Sequence, residues 1–246
     1  MIVKVKRLPT KAHHQIITSY TTLGWRILPV HGIRDGACTC GKGDCTSPVK
    51  HPATAQGVKD ATNDVAEFRQ AWKTDYNVGL ACGDSFVVVD VDGLEGFVTL
   101  AKLERENRPL PETVTARTGK GRHYYFKTPT VKLENKRVFD GIDIKTTGGY
   151  ILAPPSDHAN GKRYTWIKSP YQTDIAQMPL WLLSAILNKS KEIVEYTLNT
   201  DEAAIAAIRD DVYIEDEAGR NYRWTGRDFV PPIPEERMSC KWKVLK

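Results

Sequence analysis

No apolar run in the 246 residues approaches the roughly 20 needed to cross a bilayer, and Met1-Ile-Val-Lys-Val-Lys-Arg7 lacks the apolar core of a secretory signal. The expectation is therefore a cytoplasmic protein without a membrane partner. There is no internal repeat and no G-x4-G-K-[ST] loop, which argues against an ATP-driven motor. Cysteine is scarce and odd in number: five in all, three of them within residues 38–45. In a chain without a secretory signal, that clustering favours a metal over disulfides.

What is present describes a folded chain: 41% hydrophobic residues, six Trp and ten Tyr, with ample length for a core. The net charge of +5 is unevenly spread. The last 56 residues carry 9 basic and 12 acidic side chains, so the first 190 hold a balance of +8. A basic body with an acidic tail suits a nucleic-acid or nucleotide partner, although scattered positive charge also serves solubility.

Phe86-Val-Val-Val-Asp-Val-Asp-Gly93 is the most informative stretch. Its residues are β-favouring and apolar on both faces of a pleat, so they read as a central buried strand. Asp90 and Asp92 are two apart and project from one side where the strand ends. At about 4 Å and an effective dielectric of about 20, their repulsion is on the order of 4 kcal/mol. A hard divalent cation, Mg²⁺ or Mn²⁺, relieves it; two solvated aspartates are the bland alternative.

Residues 38–51 contain no apolar periodicity, so something other than a core must order them. Cys38, Cys40, Cys45 and His51 follow C-x-C-x4-C-x5-H, a set that closes a tetrahedral Zn²⁺ site. Free surface thiols are the alternative, and His31 is a substitute fourth ligand.

Elsewhere, helical spacing predicts helices over 11–23, from Asp64 as N-cap, over 94–107, and from Pro179 through Leu187. Asn77–Gly83 reads as a strand that pairs with 86–92 as a hairpin. Two further strands, 113–117 and 122–127, flank the Thr118-Gly-Lys-Gly121 turn, and His123 follows it among Arg117, Lys120 and Arg122, where a phosphate is as plausible as a purely structural role. Strands over 141–145 and 150–156 come next, with Asp143 alone opposite the apolar face of Ile142 and Ile144. A short helix over 201–210, a hairpin over 212–222 and a linker at Pro231–Pro234 complete the reading.

Taken in order, Val-Val-Val-Asp90-Val-Asp92-Gly, Gly121-Arg-His123 and Ile142-Asp143 with Lys145 resemble the DxD, small-x-His and hydrophobic-Asp motifs of the bifunctional primase-polymerase family of the archaeo-eukaryotic primase superfamily, of the plasmid and phage type. The resemblance covers roughly residues 15–190, and the Cys/His segment is similar to the family's metal-binding insertion. It implies an α+β fold, an RRM-like, mainly antiparallel sheet with packed helices and an inserted zinc knuckle. The expected domains are a catalytic 1–190, with the knuckle at 36–52, and a tail of unknown role, 191–246.

The resemblance further implies template-dependent nucleotidyl transfer on single-stranded DNA, making primers and extending them. Asp90, Asp92 and Asp143 hold Mg²⁺ or Mn²⁺, His123 and Lys145 meet the incoming nucleoside triphosphate, and Arg122 is added from charge. Zinc is structural. A separate replicative helicase is a candidate partner, because no helicase domain follows. Position 121 is Gly where many relatives have Ser. Two readings from other classes compete: a haloacid-dehalogenase-like phosphatase with Asp90 as nucleophile, and a non-catalytic zinc-knuckle nucleic-acid binder.

Overall fold

Helix α1, Thr10–Thr22, carries Ile17 and Tyr20 on its buried face and stops before Gly24, whose φ of 74° is the left-handed conformation a helix end favours. The computed structural model describes residues 10–73 and 75–188 and, beyond these, strands 196–197, 212–216, 221–224, 229–230 and 241–245. The chain divides into two compact units, Met1–Ala176 and Gln177–Lys246.

In the first unit, strand β1, Ile27–Val30, leads into the two-residue strands β2, Ile33–Arg34, and β3, Ala37–Cys38, which pair as a small hairpin. Helix α2, Val65–Ala71, starts where the Asp64 carboxylate accepts from the N–H groups of Ala66 and Glu67 at 2.6 and 3.1 Å. Then come β4, Asn77–Ala81; β5, Val87–Val91; α3, Gly93–Glu106; β6, Thr115–Arg117; β7, Arg122–Phe126; β8, Lys136–Phe139; β9, Ile142–Lys145; β10, Tyr150–Leu152; and β11, Thr165–Lys168.

These strands make two main sheets. One has the order β1-β4-β10 and the other β11-β6-β7-β5-β9-β8, with antiparallel pairing throughout. The hairpin expected between 77–83 and 86–92 does not form. Each of those strands is central in its own sheet, so both its edges are already paired and neither is free for the other. The chain instead crosses from one sheet to the other at Gly83, which donates to the Phe86 carbonyl at 2.7 Å.

One continuous core joins both sheets to α1 and α2. Trp25 stands 4.9 Å from Phe86 and 5.9 Å from Tyr125, ring centre to ring centre, and Ile27, Leu80, Val88 and Phe68 fill the space around them. Full burial of each such side chain contributes about 1.5–3 kcal/mol. The second unit contains α4, Leu180–Asn188, and a sheet of order β12-β16-β13-β14-β15: Tyr196–Thr197, Lys241–Leu245, Val212–Asp216, Asn221–Trp224 and Phe229–Val230. β13 and β14 pair as the hairpin read from the sequence, Val212 opposite Trp224 and Glu215 opposite Asn221. The 201–210 helix and the Pro231–Pro234 linker lie outside the described residues, as does Met1–Arg7. Among the described residues no helix is long and apolar enough to cross a membrane.

Candidate active site

β5 is buried on both faces because four valines leave no polar face, and only Asp90 interrupts them. Its register places one row of side chains across the six-stranded sheet. Ala116 is opposite His123, His123 opposite Asp90, Asp90 opposite Asp143, and Asp143 opposite Arg137. Directly opposite residues lie on one face with Cβ atoms about 4.5–5.5 Å apart. Residues 53 positions apart in the chain thus supply neighbouring carboxylates.

Each of those two carboxylates has a nitrogen partner: His123 for Asp90, Lys145 and Arg137 for Asp143. Asp90 Oδ1 is 3.3 Å from His123 Nε2, within ion-pair range but off-line for a hydrogen bond. Burial pushes the Asp90 carboxyl up, yet the charge of His123, with Lys145 and Lys50, outweighs it and leaves it below the usual carboxylate range. Asp143 accepts from Lys145 Nζ at 2.9 Å and from Arg137 Nε at 3.4 Å. The repulsion between Asp90 and Asp143, neighbours in the row, is therefore offset by the basic groups beside them.

Asp92 ends the strand and opens α3 as its N-cap residue, but its side chain makes no capping bond; its backbone N–H donates to Gly141 at 2.8 Å. The carboxylate thus stays at the positive end of a helix without being spent on it. Gly96 and Gly141 hold α3 against the start of β9: a Cβ on Gly96 would come within 2.4 Å of the Gly141 carbonyl oxygen. That contact sets the distance between the strand end and Asp143.

The Thr118–Gly121 turn closes on itself, the Thr118 hydroxyl accepting from Lys120 and Gly121 N–H at 3.2 and 2.8 Å. A Cβ on Gly121 would meet the Val91 carbonyl oxygen at 1.8 Å, so a Ser at this position does not fit this backbone. Arg122, one residue from His123, sits on the opposite face of β7, its guanidinium 5.4 Å over the Phe97 ring of α3. It is not brought into the row. Arg137 is, and the sequence reading missed it; Lys136-Arg-Val-Phe is short and places two polar residues before two apolar ones, so no alternation marks it as a strand.

The orphaned, buried Asp90 Oδ1 next to Asp143 is what a hard cation would satisfy, so the residues present fit a divalent metal. Away from the row, Cys38, Cys40, Cys45 and His51 bring their donor atoms within 4.8 Å of one another, with His51 Nε2 at 3.4 Å from both Cys38 and Cys45 Sγ. Burial raises the Cys38 thiol, but hydrogen bonds from Cys40, Val49 and His51 prevail and bring it down to about 6. Three sulfurs and an imidazole suit zinc. His31 is not a member of the cluster: its Nδ1 is 2.9 Å from the Thr39 hydroxyl, and its ring lies 4.6 Å from that of His51.

The family model for the N-terminal domain of bifunctional DNA primase/polymerases, Prim-Pol, matches residues 17–181. The chain is a member of the Prim-Pol family. It is accordingly a DNA primase/polymerase, a nucleotidyltransferase acting on DNA template and nucleotide substrates. The phosphatase and the non-catalytic binder fall away with that match. No curated protein matches the chain.

Proposed function

We propose that this Prim-Pol protein copies single-stranded DNA, making primers from free nucleotides and extending them by two-metal phosphoryl transfer. The observation that carries the reading is the register of β5 with β9, which sets Asp90 opposite Asp143 with His123 on the other flank of Asp90. Asp90, Asp92 and Asp143 would hold a pair of Mg²⁺ or Mn²⁺ ions. Such a pair supplies Lewis-acid stabilisation of the attacking and leaving oxygens.

The chain's own residues do the rest. The three carboxylates would fix the place of transfer at the end of β5. His123, 3.3 Å from Asp90, would donate to the incoming triphosphate. Lys145 and Arg137 pair with Asp143 and would be the cations that meet the β- and γ-phosphates. A role for Arg122 requires its guanidinium to leave Phe97. We read the six-stranded sheet as RRM-like, residues 1–190 as the catalytic domain with the knuckle at 36–52 as a structural zinc site, and 191–246 as an appended tail. A separate helicase would open the duplex.

Incubation with single-stranded DNA, Mg²⁺ or Mn²⁺ and each nucleotide set, with and without a primer, tests the reading. Asp90→Ala, Asp92→Ala and Asp143→Ala are each expected to lower incorporation beyond the roughly 100-fold that even outer-shell partners of a metal cost, with the fold retained by circular dichroism. An Asp90→Ala protein that extends primers at the wild-type rate would sink the two-metal reading.

A further inference from the structure

Ser156–Tyr164 forms a closed loop beside the carboxylates and carries none of the sequence motifs. His158 N–H donates to the Lys162 carbonyl at 2.8 Å, Tyr164 N–H donates to the Ser156 carbonyl at 2.8 Å, and Asp157 takes Arg163 in two hydrogen bonds, 2.8 and 3.2 Å. The base of the loop is tied to β4: the Ser156 hydroxyl donates to the Val78 carbonyl at 3.1 Å and accepts from its N–H at 3.0 Å.

Asn77, buried at the start of β4, joins this loop to the Cys/His segment. Its Nδ2 donates to the Asp157 carbonyl at 2.8 Å and to that of Val49 at 3.4 Å, while its Oδ1 accepts from Asp157 N–H at 2.9 Å. Val49 is a β-branched residue at φ 63°, an outlier conformation that reverses the chain just before Lys50. The Tyr150 hydroxyl then donates to the Lys50 carbonyl. Lys50 is thus held beside the Asp157–His158 corner by backbone contacts on both sides.

The tip of the loop docks on the Thr118–Gly121 turn. Asn160 Nδ2 donates to the Gly119 carbonyl at 2.9 Å, and the His158 ring lies so close that a Cβ on Gly119 would come within 2.2 Å of its Cγ. His158 is 7% exposed. Its Nδ1 accepts from Asn160 N–H at 3.2 Å, so the neutral ring carries its hydrogen on Nε2, which pairs with nothing among the described residues. The Tyr164 ring lies 6.2 Å from the His158 ring and 5.9 Å from that of His123. Burial, with Lys50 and Lys120, keeps the His158 imidazole below its usual pKa against the opposing pull of the Asn160 side chain and the charge of Asp92.

We propose that His158 Nε2–H, flanked by Lys50 and Lys120, is a second phosphate-binding group of the nucleotide site, donating as a neutral imidazole to an oxygen of the incoming triphosphate. The proposal rests on reading the Asp90, Asp92 and Asp143 centre as the place of nucleotidyl transfer. A pre-set donor loses little freedom on binding, and two lysines supply the charge a neutral ring does not.

Binding of dATP and of inorganic tripolyphosphate to the full chain in Mg²⁺, without DNA, tests it by calorimetry, with a 5′-hydroxyl single-stranded oligonucleotide titrated separately. His158→Ala is expected to weaken dATP and tripolyphosphate by about 10-fold, His158→Gln to recover most of the loss through its amide donor, and oligonucleotide affinity to stay unchanged. Lys120→Ala, at an exposed position, has to weaken tripolyphosphate too, which keeps the test open should His158→Ala misfold. Unchanged dATP affinity in a folded His158→Ala or in Lys120→Ala, on a wild type that incorporates nucleotides, overturns the proposal alone. So does a loss confined to the oligonucleotide, which would put the ring on the template path. A wild type that neither binds dATP nor incorporates it removes the nucleotidyl-transfer reading and this proposal with it.

Discussion

His123 shows how a single residue changes meaning between chain and fold. In the sequence it follows a basic turn; in the structure it is 4% exposed, opposite Asp90, with an orphaned Nδ1. Such a histidine is fixed in place by the sheet. His123→Ala is expected to raise the KM for nucleotide by about 10- to 100-fold, the range of a charge-assisted hydrogen bond, and to lower kcat, with template affinity by fluorescence anisotropy nearly unchanged. Equal loss of template affinity would place His123 on the DNA. Gly121 makes a second residue-scale test. Because its missing Cβ leaves room for the Val91 carbonyl, Gly121→Ser is expected to destabilise the fold by about 1–3 kcal/mol in denaturant titration instead of adding a useful hydroxyl. A stable, more active Gly121→Ser enzyme would show that the turn can move.

Among the elements, α3 and the β8–β9 turn decide how far Asp92 stands from Asp143. Their backbones meet at Gly96 and Gly141 with no side chain between. Gly96→Ala improves helix propensity by about 1 kcal/mol, but its methyl would overlap the Gly141 carbonyl at 2.4 Å. The expected outcome is a net loss of stability together with weaker metal affinity, because moving α3 moves Asp92. Metal-dependent thermal shifts measure both at once, and an unchanged Mn²⁺ shift would uncouple the helix from the site. At this scale the 86–92 strand and the four helical patterns were legible, since apolar periodicity and caps are local. The short strands β8 and β11 were not, having only four residues each and little alternation to mark them.

Across the whole molecule, initiation and extension make different demands. Extension adds one nucleotide to an end that base pairing already holds, so the carboxylate row suffices; initiation must order two free nucleotides on a bare template, at an entropic cost met by further protein contacts. The Cys/His segment, with Lys42 and Lys50, is a basic arm that metal would order. Cys38→Ser combined with Cys40→Ser is expected to release about one zinc per chain and to cut de novo priming strongly while primer extension largely persists. Metal analysis finding no zinc in the wild type, or a double variant that primes normally, would refute that division of labour. Because the segment also holds Lys50 beside His158, a rise in nucleotide KM is expected on the same variant.

The sequence by itself determined the chemistry: which carboxylates, thiols and imidazoles are available, the strand that ends at Asp92, and the spacing of Cys38, Cys40, Cys45 and His51. Those signals survive because they depend on residues near one another along the chain. The tertiary structure alone decided pairing: that β4 and β5 part into different sheets, that Asp143 aligns beside Asp90 and Arg137 beside Asp143, that Arg122 faces away, and that Asn77 brings Val49 and Asp157 together across 108 residues of chain. Strand partners are chosen by edge availability and core shape, which compete globally, and no local pattern encodes the result of that competition.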